Sequence, residues 1–274
     1  MTTGALPPAD KAEGPPSGHC DEAWPTDRSI LIGTAGWSIP RTAADAFLSA
    51  GTHLERYAAV FPAVEINSSF HRTHRRSTYE RWAASVPTAF RFSVKMPKEI
   101  SHKARLVDCG ELLEVFLCQV SGLGQKLDVL LLQLPPSFAF DEQVASSFFG
   151  VLRAMLDPAV DVACEPRNAS WFAGDADACL VQHKVARVLA DPVLVRGGDR
   201  PGGWLGMTYR RLHGAPRVYH SAYTRPMIAE AARAIADEQD TGTSSWCVFD
   251  NTASGAATSD ALALCAALKA NCAR

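Results

Sequence analysis

A chain of 274 residues, 47% hydrophobic and 20% charged, can bury a full globular core in one large domain or two small ones. Its formal charge of −2 excludes a surface coated in nucleic-acid-binding charge, though not a local basic patch. Eight cysteines without CxxC spacing are poor material for a zinc site or disulfide framework and read as small buried thiols in a reducing cytosol.

The first 28 residues are biased toward Pro, Gly, Ala and Asp and lack both a basic start and an apolar h-region. They read as a flexible tail rather than a secretory signal. No apolar run reaches bilayer length, so a cytoplasmic protein with no membrane contact is expected. Residues 29–274 read as a single domain with no internal linker.

Strand candidates begin with SILIGTA (29–35), AVEINSSF (63–70) and FRFSVKMP (90–97). Helical spacing then runs through Leu112, Leu113, Phe116, Val120 and Leu123, followed by the strand DVLLLQLP (128–135). Val144, Phe148, Val151 and Met155 mark a helix before VDVACEPR (160–167) and ARVLADP (186–192). VLVRGGDRPGGW (193–204) is too glycine-rich for a full helix. GMTYRRLHG (206–214), a helix through Ile228, Ala231 and Ile235, SWCVFDN (245–251) and a helix through Leu264, Cys265 and Leu268 complete the series.

Alternating strands and helices predict an α/β fold, a TIM-like (β/α)8 barrel of parallel strands with a loop-rich segment after strand six. A doubly wound open sheet is the structural alternative.

Residues two apart on a strand share a face, and barrel sites sit at the carboxyl ends of strands. That parity sends Glu65 and Asn67 to one face, against Val64 and Ile66 on the other. Lys95, Gln133, Glu165 and Arg167 fall on the polar face of their strands, and Asp191 is taken for strand six. Tyr209, Arg211 and His213 share a parity on strand seven, while Asp250 and Asn251 compete for strand eight. Polar residues recurring near so many strand ends describe a pocket.

GTAGW (33–37), VEINSSFHR (64–72), RWAASVP (81–87), FSVKMPKEISH (92–102), KLDVLLLQLPPSF (126–138), CEPRNASW (164–171), YRRLHG (209–214) and FDNTASGAATSDA (249–261) resemble, in order, the motifs of the YecE-like family. The resemblance covers residues 29 to about 270. It implies a TIM-barrel-like fold but no reaction, since the family is a domain of unknown function. Matched to the motifs are Glu65, Asn67, Lys95, His102, Gln133, Glu165, Arg167, Trp171, Arg211, His213, Asn251 and Gly255. His71, His74 and the Asp250–Asn251 pair depart from the family pattern, so the rim after strand two need not bind what relatives bind.

Glu165, His213 and Glu65 are the candidate catalytic residues, a carboxylate pair and an imidazole suited to proton transfer. Asn67, Lys95, His102, Gln133, Arg167, Trp171, Asp191, Arg211, Asp250, Asn251 and Gly255 are the candidate binding residues, and the arginines suit a carboxylate or phosphate. NTASGAA (251–257) could hold a phosphate at a helix start. Basic stretches at 71–76 and 98–105 could steer an anion or a nucleic-acid backbone. The cofactor is left open; a divalent ion on Glu65, Glu165, Asp191 and His213 is conceivable but disfavoured by the intervening lysine and arginines.

The expected function is acid/base chemistry on a small anionic or phosphorylated substrate, a hydrolase being one form of it. The alternatives are a metal-assisted phosphodiester hydrolase acting on nucleic acid, by fold analogy alone, and a non-catalytic barrel binding a metabolite or partner.

Overall fold

The computed structural model describes residues 30–240 and 242–272. The expected tail, residues 1–28, lies outside the described residues. The strands are β1 (Ile30–Thr34), β2 (Ala63–Ile66), β3 (Arg91–Lys95), β4 (Leu127–Gln133), β5 (Asp161–Glu165), β6 (Val185–Arg187), β7 (Leu189–Asp191), β8 (Gly202–Gly203), β9 (Met207–Leu212) and β10 (Ser244–Phe249). The helices are α1 (His53–Ala58), α2 (Arg76–Ala84), α3 (Gly110–Val120), α4 (Glu142–Met155), α5 (Gly174–Gln182), α6 (Arg225–Asp240) and α7 (Ala256–Cys272).

One sheet runs β2-β3-β4-β5-β6-β8 and the other β1-β10-β9-β7. Every pairing is parallel except β6 with the two-residue β8. This is an α/β fold of mostly parallel strands. The expected eight-stranded barrel does not emerge as one continuous ladder. At the seam between β1 and β2, Ala35 bridges to Glu65 and the Gly36 N–H donates to the Glu65 carbonyl. At the other seam the expected sixth strand divides: β6 joins β5, β7 joins β9, and the Val188 N–H between them reaches the Cys164 carbonyl.

One further expectation shifts and another holds. The second strand stops at Ile66 because the chain turns into a short 3-10 helix, Ser68–Phe70, with the Ser69 hydroxyl between the carbonyls of Ile66 and Lys95. After β7 no helix follows, and residues 193–205 make turns and β8, as the glycine content predicts. The Asp177 carboxylate holds β8 down, accepting from the Gly203 N–H and from Arg187.

Strand alternation divides the core. Val64, Ile66, Phe92, Val94, Leu130 and Leu132 pack toward the helices. Ala63, Val129, Leu131, Ala163, Tyr209 and Trp246 form a separate apolar cluster on the opposite face. Fully burying one such large aliphatic or aromatic side chain stabilises by about 1.5–3 kcal/mol, so the inner cluster anchors whatever lies above it. What lies above is polar: Ala63 is followed two residues on by Glu65, Leu131 by Gln133, Ala163 by Glu165, Tyr209 by Arg211 and Val248 by Asp250.

Close approach of β1 to β2 requires glycine at 33, where a Cβ would stand 2.1 Å from the Ala63 carbonyl oxygen. Of the described cysteines, Cys109, Cys164, Cys179, Cys247 and Cys265 are buried free thiols, whereas Cys118 is exposed on α3. No described helix is long and apolar enough to cross a membrane.

Candidate functional site

Arg211, in β9, is the centre of the polar layer and is 0% exposed. Its Nε donates to Glu65 Oε2 at 3.0 Å and its Nη2 to Glu65 Oε1 at 2.8 Å, a two-pronged clamp. Nη1 donates to Glu165 Oε2 at 2.6 Å, and Nη2 also reaches Asp250 Oδ2 at 2.8 Å. One guanidinium thus joins carboxylates from β2, from β5 and from just past β10. Beneath it the Tyr209 hydroxyl lies 2.9 Å from Glu65 Oε2 and 2.8 Å from Ser93 Oγ, donating to the carboxylate and accepting from the serine.

His213, just past β9, sits between two of those carboxylates. Nδ1 is 3.0 Å from Asp250 Oδ2 and Nε2 is 3.2 Å from Glu165 Oε1. Burial opposes the imidazolium, but the hydrogen bonds to Asp250 and Glu165 outweigh it and raise the pKa. For Glu165 the balance runs the other way. Burial favours the neutral acid, but Arg211, His213 and Arg167 together hold the carboxyl well below the usual range. Asp250 is lowered against burial by Arg211 and His213. Glu165 is therefore a fixed carboxylate, and the proton of the pair resides on His213.

Arg167 donates to Glu165 Oε1 from Nε at 3.2 Å and from Nη2 at 3.0 Å, and Nη2 also reaches the Tyr219 hydroxyl at 3.3 Å. No sequence motif marks Tyr219, which belongs to the arm following Gly214. Gly214 has φ +88°, and a Cβ there would meet the Ser221 carbonyl oxygen at 2.6 Å. The turn lays the Tyr219 ring across His213, 5.5 Å between centroids, with Tyr219 itself at φ +67°. A bulky side chain in that left-handed region is costly, and such outliers cluster at functional sites. Tyr209 had the right parity, and Ser93 carried no signal beyond its place in β3.

Lys95 differs from the other cations. It is 6% exposed, and among the described residues its Nζ has no hydrogen-bond or carboxylate partner. It lies 4.3 Å from the centroid of the Phe70 ring. Burial, then the positive charge of Arg211, lower its pKa to about 8 despite three nearby carboxylates. His102 packs edge-on against the same Phe70 ring, and its Nδ1 is 2.9 Å from Ser101 Oγ. Burial and the charges of Lys95, Arg167 and Arg105 lower the His102 pKa, so this ring is neutral near pH 7. Gln133 stands level with Glu165 on the adjacent strand, and Asn67 follows β2. Neither side chain is engaged in a hydrogen bond among the described residues.

Three predicted residues fall elsewhere. Asp191 faces outward, because Val188 and Ala190 hold the inner parity of the divided strand; its Oδ1 accepts from the Tyr223 hydroxyl at 2.6 Å. Trp171 is fully buried in the outer core, donating its indole N–H to the Phe138 carbonyl and packing on Phe138 and Phe140. Of the competing pair, Asp250 joins the cluster. Asn251 is buried away from it, its amide donating to the Ser221 carbonyl and to Asp260, with its Oδ1 unpartnered among the described residues.

Gly255 (φ +78°) packs on Pro40, and the amides of Ala253, Gly255 and Ala257 already donate to Tyr219, Thr252 and Asn251 carbonyls. Those three amides of the NTASGAA loop are thereby committed within the fold. The metal set fares similarly. Arg211 fills the space between Glu65 and Glu165, Asp191 faces away, and no group of three or more His, Cys, Asp or Glu among the described residues is placed to hold an ion.

A cleft opens beside the cluster. Glu165, Arg167 and His213 form its polar end, and Phe172, Val193, Leu194 and Val218 line its apolar side.

Fold and cluster together define a class: a mostly parallel α/β protein with an arginine-centred carboxylate cluster at the carboxyl ends of its strands. Residues 31–274 match the family model described as protein of unknown function DUF72, and the chain belongs to that family. It is 36% identical over 110 residues to the UPF0759 protein YecE of Escherichia coli K12, a match covering 40% of this chain and 39% of that protein. To the UPF0759 protein YunF of Bacillus subtilis it is 26% identical over 149 residues, 52% of each chain. These matched segments span between two fifths and about half of the relatives' length. A crystal structure of a DUF72 family protein from Enterococcus faecalis V583 superposes with TM-score 0.72 at 20% identity, covering 88% of this chain and 95% of that one. One from Thermotoga maritima MSB8 gives 0.70 at 23%, covering 88% and 99%. At these identities the likeness is one of fold.

Proposed function

We propose that the two sheets form the wall of one barrel, and that its polar end is the active site of an enzyme performing acid/base chemistry on a small anionic substrate. Closure is supported by the Ala35–Glu65 bridge at one seam and by Val188 linking β6 to β7 at the other.

The observation that carries the reading is the state of His213. It is held between two carboxylates at the edge of a cleft, with its pKa raised, so it acts as an acid when the Nε2–H, the longer bond at 3.2 Å, turns from Glu165 to a substrate oxygen. Glu165 and Asp250 keep it charged and aimed. Glu65, clamped by Arg211 and sealed from solvent, positions that guanidinium. Lys95, Arg167, Gln133 and Asn67 have donors to offer an anionic oxygen, and the neutral His102, packed on the same Phe70 ring as Lys95, supplies a base. The basic stretches at 71–76 and 98–105 steer anions, weakened by the Arg76–Glu80 and Lys103–Glu99 pairs within or beside them.

The test is thermal shift with phosphate, short carboxylates and sugar phosphates, in the presence and absence of a chelator, followed by a turnover assay on any anion that binds. Stabilisation independent of the chelator, lost in Arg167→Gln, is expected. Turnover should be lost in His213→Gln while binding survives. An anion response that appears only with added divalent metal would favour the hydrolase alternative instead, and binding without turnover a non-catalytic barrel. No stabilisation by any anion would end the proposal.

A further inference from the structure

The cleft beside His213 is chemically two-sided, and its apolar side is unused by the chemistry proposed above. Val193 and Leu194 are 47% and 65% exposed, in the segment that replaces the helix after β7, and Val218 is 36% exposed on the arm that carries Tyr219. Scattered exposed apolar residues need no explanation. These three are not scattered. They come from two separate loops, converge on one cleft, and continue inward to the buried Val188 and the ring of Phe172. Water wets the exposed part of that wall, so a ligand covering it gains the hydrophobic term. At the inner end stand Glu165, Arg167 and His213; both His213 ring nitrogens are held by carboxylates, so the donor left open among the described residues is Arg167 Nη1.

We infer that the cleft between the 193–195 segment and the 215–219 arm is a subsite for an aliphatic chain, so that the substrate is an amphipathic acid. Its anionic head lies on Arg167 Nη1, beside the charged His213 ring, and its hydrocarbon tail runs along Val193, Leu194 and Val218. The inference rests on the anionic-substrate reading and adds the class of substrate. A purely polar sugar phosphate leaves that wall wet; an acyl or alkyl acid covers it.

Isothermal titration of the full chain with acetate, butyrate and hexanoate tests this, with hexyl phosphate and hexanol as controls. Each added methylene buried in the cleft should tighten binding by about fourfold, from about 0.8 kcal/mol per CH2. The double variant Val193→Asn, Leu194→Asn makes that wall polar without adding charge beside the anion site. Both side chains are largely exposed, so the fold is retained, and the variant should bind acetate as the native chain does while losing the chain-length gradient. Hexyl phosphate binding better than hexanoate would identify the head as a phosphate and leave the tail subsite in place.

Acetate and hexanoate of equal affinity would overturn the inference while leaving the anion site standing. A gradient unchanged by the double variant would overturn it as well. Hexanol matching hexanoate would overturn the anion site and leave only the apolar groove.

Discussion

Lys95 is the residue where a functional reading and a stability reading make opposite demands. Its amine is buried without a carboxylate partner, which lowers its pKa from 10.5 to about 8. At about 1.4 kcal/mol per tenfold change in proton affinity, that displacement costs the folded state on the order of 3 kcal/mol near neutral pH. Lys95→Met keeps the apolar stem and removes the charge. It also removes the contact with Phe70, worth about 0.5–2 kcal/mol. The expected net gain is about 1–2 kcal/mol, or roughly 2–8 °C in Tm for a chain of this size.

The pH dependence fixes the cause. Below about pH 8 the amine is protonated in both states and the folded state bears the whole penalty. Between about 8 and 10.5 the folded state sheds the proton while the unfolded chain keeps it, so native stability recovers as pH rises. The advantage of Lys95→Met should therefore be largest near neutrality and fade toward pH 10.5. Urea denaturation of both proteins across that range measures it. A variant less stable than the native chain at neutral pH, or a difference that ignores pH, would show that Lys95 has a partner and is not a strained functional group.

Arg211→Met should be the most damaging single change in the cluster. It leaves Glu65, Glu165 and Asp250 buried beside one another, and a loss of about 3–5 kcal/mol is expected by chemical denaturation. His213→Gln should cost most in acid and least in alkali, because a raised pKa contributes stability that is complete below about 6.5 and disappears as pH rises through the folded value. Glu165 and Asp250 act at the other limb: their stabilisation is present above about pH 4 and fades as pH falls through their lowered values. Urea melts of His213→Gln, Glu165→Gln and the native chain at several pH values should separate the limbs. Trp171→Phe strands the Phe138 carbonyl in the core and should lower stability by about 1–3 kcal/mol while leaving anion-induced thermal shifts intact.

The strand positions and inner parity were legible wherever a strand ran unbroken. Alternation along VEI, SVK, LLLQ, ACE and YRRLH puts Glu65, Lys95, Gln133, Glu165, Arg211 and His213 on the face they occupy. It failed where the backbone departs from a plain strand. The sixth strand divides at Val188, so Asp191 acquired the wrong face from a pattern read as one run. Trp171 follows the strand-end motif closely in sequence, but the short 3-10 helix at 169–172 turns its indole into the outer core. Tyr219 was invisible for a different reason. Its place depends on the left-handed turn at Gly214 and on its own positive φ, neither of which hydrophobic periodicity records. The partnerships were also hidden, since no spacing rule says that one arginine will hold three carboxylates from three strands.

Those partnerships decide how the polar layer should be read. Ionic networks in a barrel often serve only to neutralise one another, and apolar residues would fill the same space at lower cost. A purely structural network would leave no charge over. Here Arg211 accounts for Glu65, and with His213 and Arg167 it accounts for Glu165 and Asp250, which completes the neutral part. Lys95 is in excess, and the amides of Gln133 and Asn67 beside it have no protein partner among the described residues. Its cost to the fold is on the order of 3 kcal/mol, comparable to a large-to-small core mutation. A ligand that brings an oxygen anion to that amine relieves the cost, so the folded protein should bind anions best over the pH range in which Lys95 destabilises it most.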